Sequence, residues 1–127
     1  GEEIRTLKGH SASVSAVAVT PDGRKAISAC DDRTLKVWDL ERGEELRTLK
    51  GHSDWVNAVV VTPDGQKTVS ASDDQTLKVW DLGKGEVIAT FTADGPILCC
   101  AIAPDGATIV AGESSGRIHL LRLENAD

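Results

Sequence analysis

The chain has 127 residues with 20 acidic and 14 basic side chains, a formal net charge of −6, and its Lys and Arg are scattered without a run; this speaks against the basic face that a nucleic-acid partner demands. No apolar stretch approaches the roughly 18 residues that cross a membrane, and none has the basic front and short apolar core of a secretion signal, so the expectation is a cytoplasmic chain, or a piece of one, with no membrane partner. Aromatic residues are 3% of the total, with neither Met nor Tyr, which leaves packing to Val, Ile, Leu and Ala fitted between sheets.

In chain order, Glu2-Glu3-Ile4-Arg5-Thr6-Leu7-Lys8 predicts a strand with a charged side, and the pattern returns as Glu44-Glu45-Leu46-Arg47-Thr48-Leu49-Lys50. Such charges suit an outer edge strand, where they discourage pairing with strangers. Val14 to Val19 and Val56 to Val61 are nearly continuous small apolar runs, as expected of inner strands covered on both faces. Pro21-Asp22-Gly23, Pro63-Asp64-Gly65 and Pro104-Asp105-Gly106 supply turns, with Pro fixing one φ and Gly free to take φ > 0. Lys25 to Cys30, Lys67 to Ser72 and Thr108 to Gly112 form a third kind of strand, followed by tight turns at Asp31-Asp32, Asp73-Asp74 and Ser114-Ser115-Gly116. The fourth kind is Thr34 to Leu40, Thr76 to Leu82 and Arg117 to Leu123, alternating as a half-buried strand should. Gly43, then Gly83 with Gly85, open the turn into the next outer strand. The expectation is all-β, with twelve strands and no helix.

These elements recur. Thr34-Leu35-Lys36-Val37-Trp38-Asp39 returns as Thr76-Leu77-Lys78-Val79-Trp80-Asp81, Gly9-His10 returns 42 residues on as Gly51-His52, and the Pro-Asp-Gly turns are 42 and then 41 apart. Three repeats follow, 1–42, 43–84 and 85–127, the first two matching at about 30 of 42 positions. The third departs: it has Ala93-Asp94 for Gly-His, Ala111 for Ser70, Ser115 for Asp74 and Leu121-Arg122 for Trp-Asp. A divergent terminal repeat is expected to cap and end an array. A unit of this length that carries Gly-His and ends in Trp-Asp resembles the WD40 family. The resemblance implies β-propeller blades, four-stranded antiparallel sheets, about three per chain. Phe91 to Leu123 is also similar to the terminal blade of large bacterial signalling proteins that join a nucleotide-binding ATPase module to a WD40 array.

For the site, the resemblance implies that His10, Ser28, Asp32 and Trp38 link loop, strand, tight turn and indole into one buried hydrogen-bonded network, repeated by His52, Ser70, Asp74 and Trp80. His, Ser and Asp are also the members of a hydrolase triad. A set copied from repeat to repeat, with every donor and acceptor spoken for, leaves no free nucleophile, so no catalytic residue and no enzyme is expected. The third repeat lacks every member and is expected to be the weakest blade or to be held by apolar packing. Trp55 stands where the first copy has Ser13 and the third Pro96, just before an inner strand. The resemblance puts this position near the channel mouth, with Asp31, Asp73 and Arg33 on the same face, and these five are the partner-binding candidates; the plainer alternatives are a loop anchor for Trp55 and solvated turns for the rest.

Cys30, Cys99 and Cys100 show no CxxC spacing and are expected as small buried thiols. With three Cys and three His widely spread, no metal set forms and no cofactor is expected. Gly112 to Gly116 lacks the Lys and the following helix of a phosphate loop and reads as a turn. His119, in the place of Lys36 and Lys78, is expected at the surface.

Three repeats are fewer than the four to eight blades of a single-chain propeller. The order begins with an outer strand and ends after the third strand of a blade, so residues 2 to 8 would complete the blade of residues 97 to 123 in another subunit. The expected function is a non-catalytic protein-interaction scaffold closed by homo-oligomeric strand exchange, six blades as a dimer in preference to nine as a trimer. The alternatives are a fragment, or an engineered or evolutionary model, of a larger propeller with no partner of its own, and a ligand-binding or enzymatic propeller. Gly1 in place of Met suits a processed or engineered start.

Overall fold

Residue 2 and residues 4–123 are described by the computed structural model; Gly1, Glu3 and residues 124–127, which belong to the expected first and third repeats, lie outside the described residues. The first sheet is β1 (Val14–Val19), β2 (Lys25–Cys30), β3 (Thr34–Asp39) and β4 (Glu44–Lys50). The second is β5 (Val56–Val61), β6 (Lys67–Ser72), β7 (Thr76–Asp81) and β8 (Glu86–Thr92), and the third has only β9 (Ile97–Ile102), β10 (Thr108–Glu113) and β11 (Ile118–Arg122). Neighbouring strands are antiparallel throughout, and the described residues contain no helix.

Among the described residues, eleven strands therefore stand where twelve are expected from the sequence. The missing one is the charged segment 2 to 8, whose described residues form no strand. The reason lies in the pairing: β4 bonds to β3 and β8 to β7, each an outer strand laid on the sheet of the preceding repeat. Among the described residues no third strand lies beside segment 2 to 8 to pair with it. A strand is made by its ladder partner, and the same residue pattern without one does not form it.

Local chemistry sets the turns. Asp22 Oδ1 accepts the Thr20 hydroxyl at 2.6 Å and the Arg24 N–H at 2.9 Å while Gly23 turns at φ 73°, and Asp64 and Gly65 repeat the device. At the β2–β3 turn the left-handed residue is Arg33 (φ 74°), at β6–β7 it is Gln75 (φ 76°), and at β10–β11 it is Gly116 (φ 93°), the residue best suited to it. Asp39 and Asp81 carry the turns out of β3 and β7, their Oδ1 atoms accepting the N–H of Arg42 and Lys84 at 3.0 Å.

The sheets stack face to face around two apolar layers. Ile27, Ala29, Leu35 and Val37 meet Val56, Val59 and Trp80 in the first, and Val69, Leu77 and Val79 meet Ile97, Ile109 and Ala111 in the second. A bulge in each of β1 and β5 frees one residue from the ladder, and that residue ties the sheets together. Ser15 donates from the first bulge to the Val56 carbonyl, and Asn57 donates from the second to the Ile97 carbonyl at 3.0 Å. Coverage of the inner strands on both faces holds for β5 only: β1 leaves Val14, Val17 and Val19 exposed and β9 leaves Leu98 exposed, because each is the last sheet on its side. For the same reason one of the three expected buried thiols is corrected: Cys30 is buried and Cys100 partly so, but Cys99 is exposed.

Candidate functional site

The β2–β3 and β6–β7 turns lie at the same end of their sheets as the loops that lead into β1 and β5. There the residue before each inner strand accepts a backbone bond from the first residue of the tight turn: Asp31 N–H to Ser13 O, Asp73 N–H to Trp55 O and Ser114 N–H to Pro96 O, each at 2.9 Å. This brings Ser13 beside Asp31 and Trp55 beside Asp73. The Trp55 backbone is fixed further by the Ser72 hydroxyl, which donates to its carbonyl at 2.7 Å, while the residue as a whole is 52% exposed. Asp73 holds Asn57 Nδ2 at 2.7 Å, and Arg33 is exposed at its left-handed turn position.

Beneath this rim run two hydrogen-bond chains. In the second sheet the Trp80 indole N–H donates to Ser70 Oγ (2.8 Å), the Ser70 hydroxyl to His52 Nε2 (2.6 Å), and His52 Nδ1–H to Asp74 Oδ2 (2.8 Å), a proton order set by the donor–acceptor pattern. Asp74 also accepts the Ser53 N–H at 3.0 Å and, on Oδ1, the N–H and hydroxyl of Thr76 at 2.9 and 2.5 Å. Burial disfavours its charge, but the bonds from Thr76, His52 and Ser53 outweigh that and hold the carboxyl at about 2. Burial holds the His52 imidazole below its ordinary value despite the nearby Asp74. A neutral histidine thus links an ionised aspartate to a buried serine.

The first sheet repeats the chain with Trp38 to Ser28 (2.9 Å), Ser28 to His10 (2.5 Å) and His10 to Asp32 (3.1 Å). Burial opposes ionisation of Asp32 as well, and bonds from Thr34, His10 and Ser11 bring its carboxyl well below the usual range. This copy is closer to solvent, since its sheet has no neighbour on the Trp38 side. In both chains the serine proton and the histidine lone pair are used on each other, and the serine oxygen takes an indole proton as well. The arrangement stiffens a turn; in the first blade it borders a shallow groove, but the Ser28 oxygen and the His10 ring nitrogens there are already engaged with each other, the indole and Asp32.

The third sheet has none of these four residues, yet it is not without a polar link. Glu113 Oε2 lies 2.7 Å from His119 Nε2 and Oε1 accepts the Ser115 hydroxyl at 3.0 Å. The Phe91 ring lies 5.1 Å from the imidazole, centroid to centroid. The bond from His119 keeps the Glu113 carboxyl below its ordinary value. His119 is therefore half-buried and partnered, not at the surface as expected from its place opposite two lysines. Glu113 stands where the other repeats have Cys30 and Ser72, and no local pattern in the sequence marks it.

Among the described residues, His10, Cys30 and Asp32 form the group with metal-ligand donors close together, all within 4.8 Å. Those donors are engaged: Cys30 Sγ donates to Ala12 O at 3.4 Å and accepts the Asp32 N–H at 3.3 Å, as Ser72 Oγ bonds Trp55 O and the Asp74 N–H. Serine serving in the same place makes this a turn contact in both copies.

The family described as "WD domain, G-beta repeat" matches residues 1–39, 43–81 and 85–120. The chain belongs to this WD40 family. Its sheets are WD40 blades, of a kind that serves generally in protein interactions, and the indole-to-aspartate chains sit in the blades whose Trp-Asp signature is intact. Individual WD40 repeats are similar to parts of much longer proteins. The chain is 46% identical over 39 residues to vegetative incompatibility protein HET-E-1 of Podospora anserina, 31% of this chain and 3% of that one. It is 44% identical over 43 residues to small ribosomal subunit protein RACK1 of Caenorhabditis elegans, 34% and 13% of the two chains. It is 50% identical over 40 residues to nuclear distribution protein PAC1 of Scheffersomyces stipitis, 32% and 8%. The matched stretch thus spans 3% to 13% of the length of these relatives.

Proposed function

We propose that the chain is a non-catalytic, cytoplasmic protein-interaction scaffold that completes its WD40 ring by exchanging strands with a second copy of itself, six blades from two chains, with nine from three as the other closed form. The observation that carries this reading is the seating of the segment Ile4 to Lys8. In β4, Arg47 donates to the carbonyls of Gly83 and Lys84 at 3.0 and 2.8 Å, and its guanidinium lies against Gly85 in the turn of the next blade. Arg5 lies in the same way against Gly43. The segment thus repeats on the first blade the Arg-to-turn contact that β4 makes on the second, without the strand ladder of β4, while the third blade has three strands among the described residues. This favours an outer strand in waiting over a loose tail.

The repeats 1–42, 43–84 and 85–127 are the units of this scaffold, and the similarity of Phe91 to Leu123 to the last blade of bacterial ATPase-linked arrays supports placing the third repeat at the end of its series. Trp55, with Ser13, Asp31, Asp73 and Arg33 on the same rim, is the surface offered to a partner protein. The engaged His–Ser–Asp chains support the absence of catalysis. Light scattering on the purified chain tests the closure: a mass of two or three chains at micromolar concentration is expected, and a stable monomer overturns it.

A further inference from the structure

From the two open ends of the stack we infer the joint itself: the free face of the third blade and the β11 edge receive the first blade and the segment 2 to 8 of a second copy, in a register selected by Arg122. The inference rests on the strand exchange proposed above and adds which faces meet and what chooses them.

The free faces are interior faces without a neighbour. Val17 is 67% exposed where its counterpart Val59 is 6%, and Leu120 is 73% exposed where Val79 is 2%. The first free face carries a shallow, mainly apolar groove bounded by Leu7, Val14, Val17, Ala26 and Trp38 with His10 and Ser28 at its polar side, and the last one bounded by Cys99, Cys100, Ala101, Val110, Gly112 and Ile118. A solvent-facing cap would be polar there. The third repeat, divergent as it is, keeps an apolar face, so its divergence does not make it a cap. Nor is the face worn smooth. The cross-strand pairs Ala16–Ala29 and Ala58–Ala71 become Cys99–Gly112, and a methyl on Gly112 would lie 2.6 Å from the Cys99 sulfur. The larger side chain on one strand occupies what the smaller one leaves on the next, which conserves volume at the centre of a packed face.

The edge adds direction. In the first two blades the outer strand sets Leu49 against Leu35 and Phe91 against Leu77, and it sets Glu44 against Asp39 and Glu86 against Asp81. Carried to β11, that register sets Leu7 against Ile118 and Glu2 against Arg122. At this end of the strands the internal pairings place two acids opposite each other and the joint places an acid opposite a base; one residue further in, the first blade has its own cross-strand ion pair, Lys36 to Glu45 at 3.0 Å, where β11 carries His119. Opposite charges in directly facing positions favour pairing and like charges disfavour it. Lys8 falls opposite Arg117, whose charge is met by Asp94 at 3.0 Å. At the Glu2 position the segment thus suits β11 better than the edge of β3 or β7, and that end of the strand is where Arg122 selects the register. One contact is missing: Leu98 occupies the place of Ser15 and Asn57, so the joint lacks the side chain-to-carbonyl bond of the internal interfaces.

The test uses the full chain with Cys99 as the only thiol, through Cys30→Ser and Cys100→Val, residues that the sister repeats already carry at these places. Maleimide labelling of Cys99 is followed beside molar mass, in buffer and in urea. In the oligomer, labelling is expected to be roughly tenfold or more slower than in the unfolded chain. Arg122→Glu is expected to weaken association on the order of tenfold, and Glu2→Arg added to it to restore most of the loss. An oligomer with freely reactive Cys99, or one indifferent to both charge changes, overturns this joint while leaving strand exchange standing. A monomer overturns both.

Discussion

Ser70→Ala removes one oxygen and disturbs two bonds. Ser70 is fully buried, accepts the Trp80 indole N–H at 2.8 Å and bonds His52 Nε2 at 2.6 Å. Alanine leaves an indole donor and an imidazole acceptor unmatched, in a void too small for a water to answer both. Each unmatched buried group costs about 1–3 kcal/mol, and because the two share one site the expected loss is about 2–4 kcal/mol. Ser28→Ala removes the same chemistry from the first blade, where the chain of bonds borders solvent, and the expected loss is about 1–2 kcal/mol. Urea unfolding followed by Trp fluorescence reads both, and a thermal scan should move by about 3–5 °C per kcal/mol in a chain of this size. The comparison belongs at a dilution where chains are apart; in the closed ring a neighbour covers the first blade and the two losses should converge. A Ser70 loss below about 0.5 kcal/mol, or a Ser28 loss exceeding it in separated chains, would refute a buried serine hub.

Acid should act in two stages. The folded state holds His52 below 6.5, so the unfolded chain takes up that proton first and stability is lost as pH falls below about 6.5. Asp74, near 2 folded against 3.8 unfolded, contributes about 2 kcal/mol above pH 4 that is lost as pH falls toward 2. Asp74→Asn should flatten the lower stage of a urea-midpoint profile. Gln75→Gly relieves a left-handed backbone at φ 76° and should raise stability by about 0.5–1 kcal/mol in the same assay, whereas a loss would mean the side chain supports the turn. Trp55→Ala should leave the unfolding free energy from the same urea assay within about 1 kcal/mol of the parent, since the residue is half exposed; a larger drop makes Trp55 a loop anchor and not a contact residue. His119→Ala should lower the melting midpoint by leaving the Glu113 carboxylate without its imidazole partner, and Phe91→Leu should do so less.

What the sequence conveyed best was periodic. Strand positions follow from spacing and apolar runs, and the Pro-Asp-Gly turns from the φ that Gly23, Gly65 and Gly106 adopt. The pair Arg5 and Arg47, with Gly43 and Gly85 each 38 residues later, was equally visible as a spacing, but nothing local says that such residues touch across two blades. Exposure was the property least open to inference. Val17 and Val59 are the same residue in the same place of near-identical repeats, and only the presence or absence of a neighbouring sheet separates them. The pairing of Glu113 with His119 was hidden for a related reason. It depends on the β10–β11 register, which sets His119 opposite Ala111 and so beside the end of β10, and neither residue matches its counterparts in the other repeats.

The passage of β4 from the second repeat into the first sheet puts the unit of inheritance out of phase with the unit of packing. A duplication that copies any whole 42-residue stretch, wherever its ends fall, gives a chain in which every new sheet borrows its last strand from the following copy. The array can then lengthen or shorten in whole steps without creating an additional exposed strand edge. It also allows a hazard in folding: β4 and β8 descend from one pattern and face third strands with identical residues, so the nascent chain can thread the wrong one. Divergence in the last copy reduces that degeneracy, and refolding rates of chains whose third repeat is made to match the second would measure by how much.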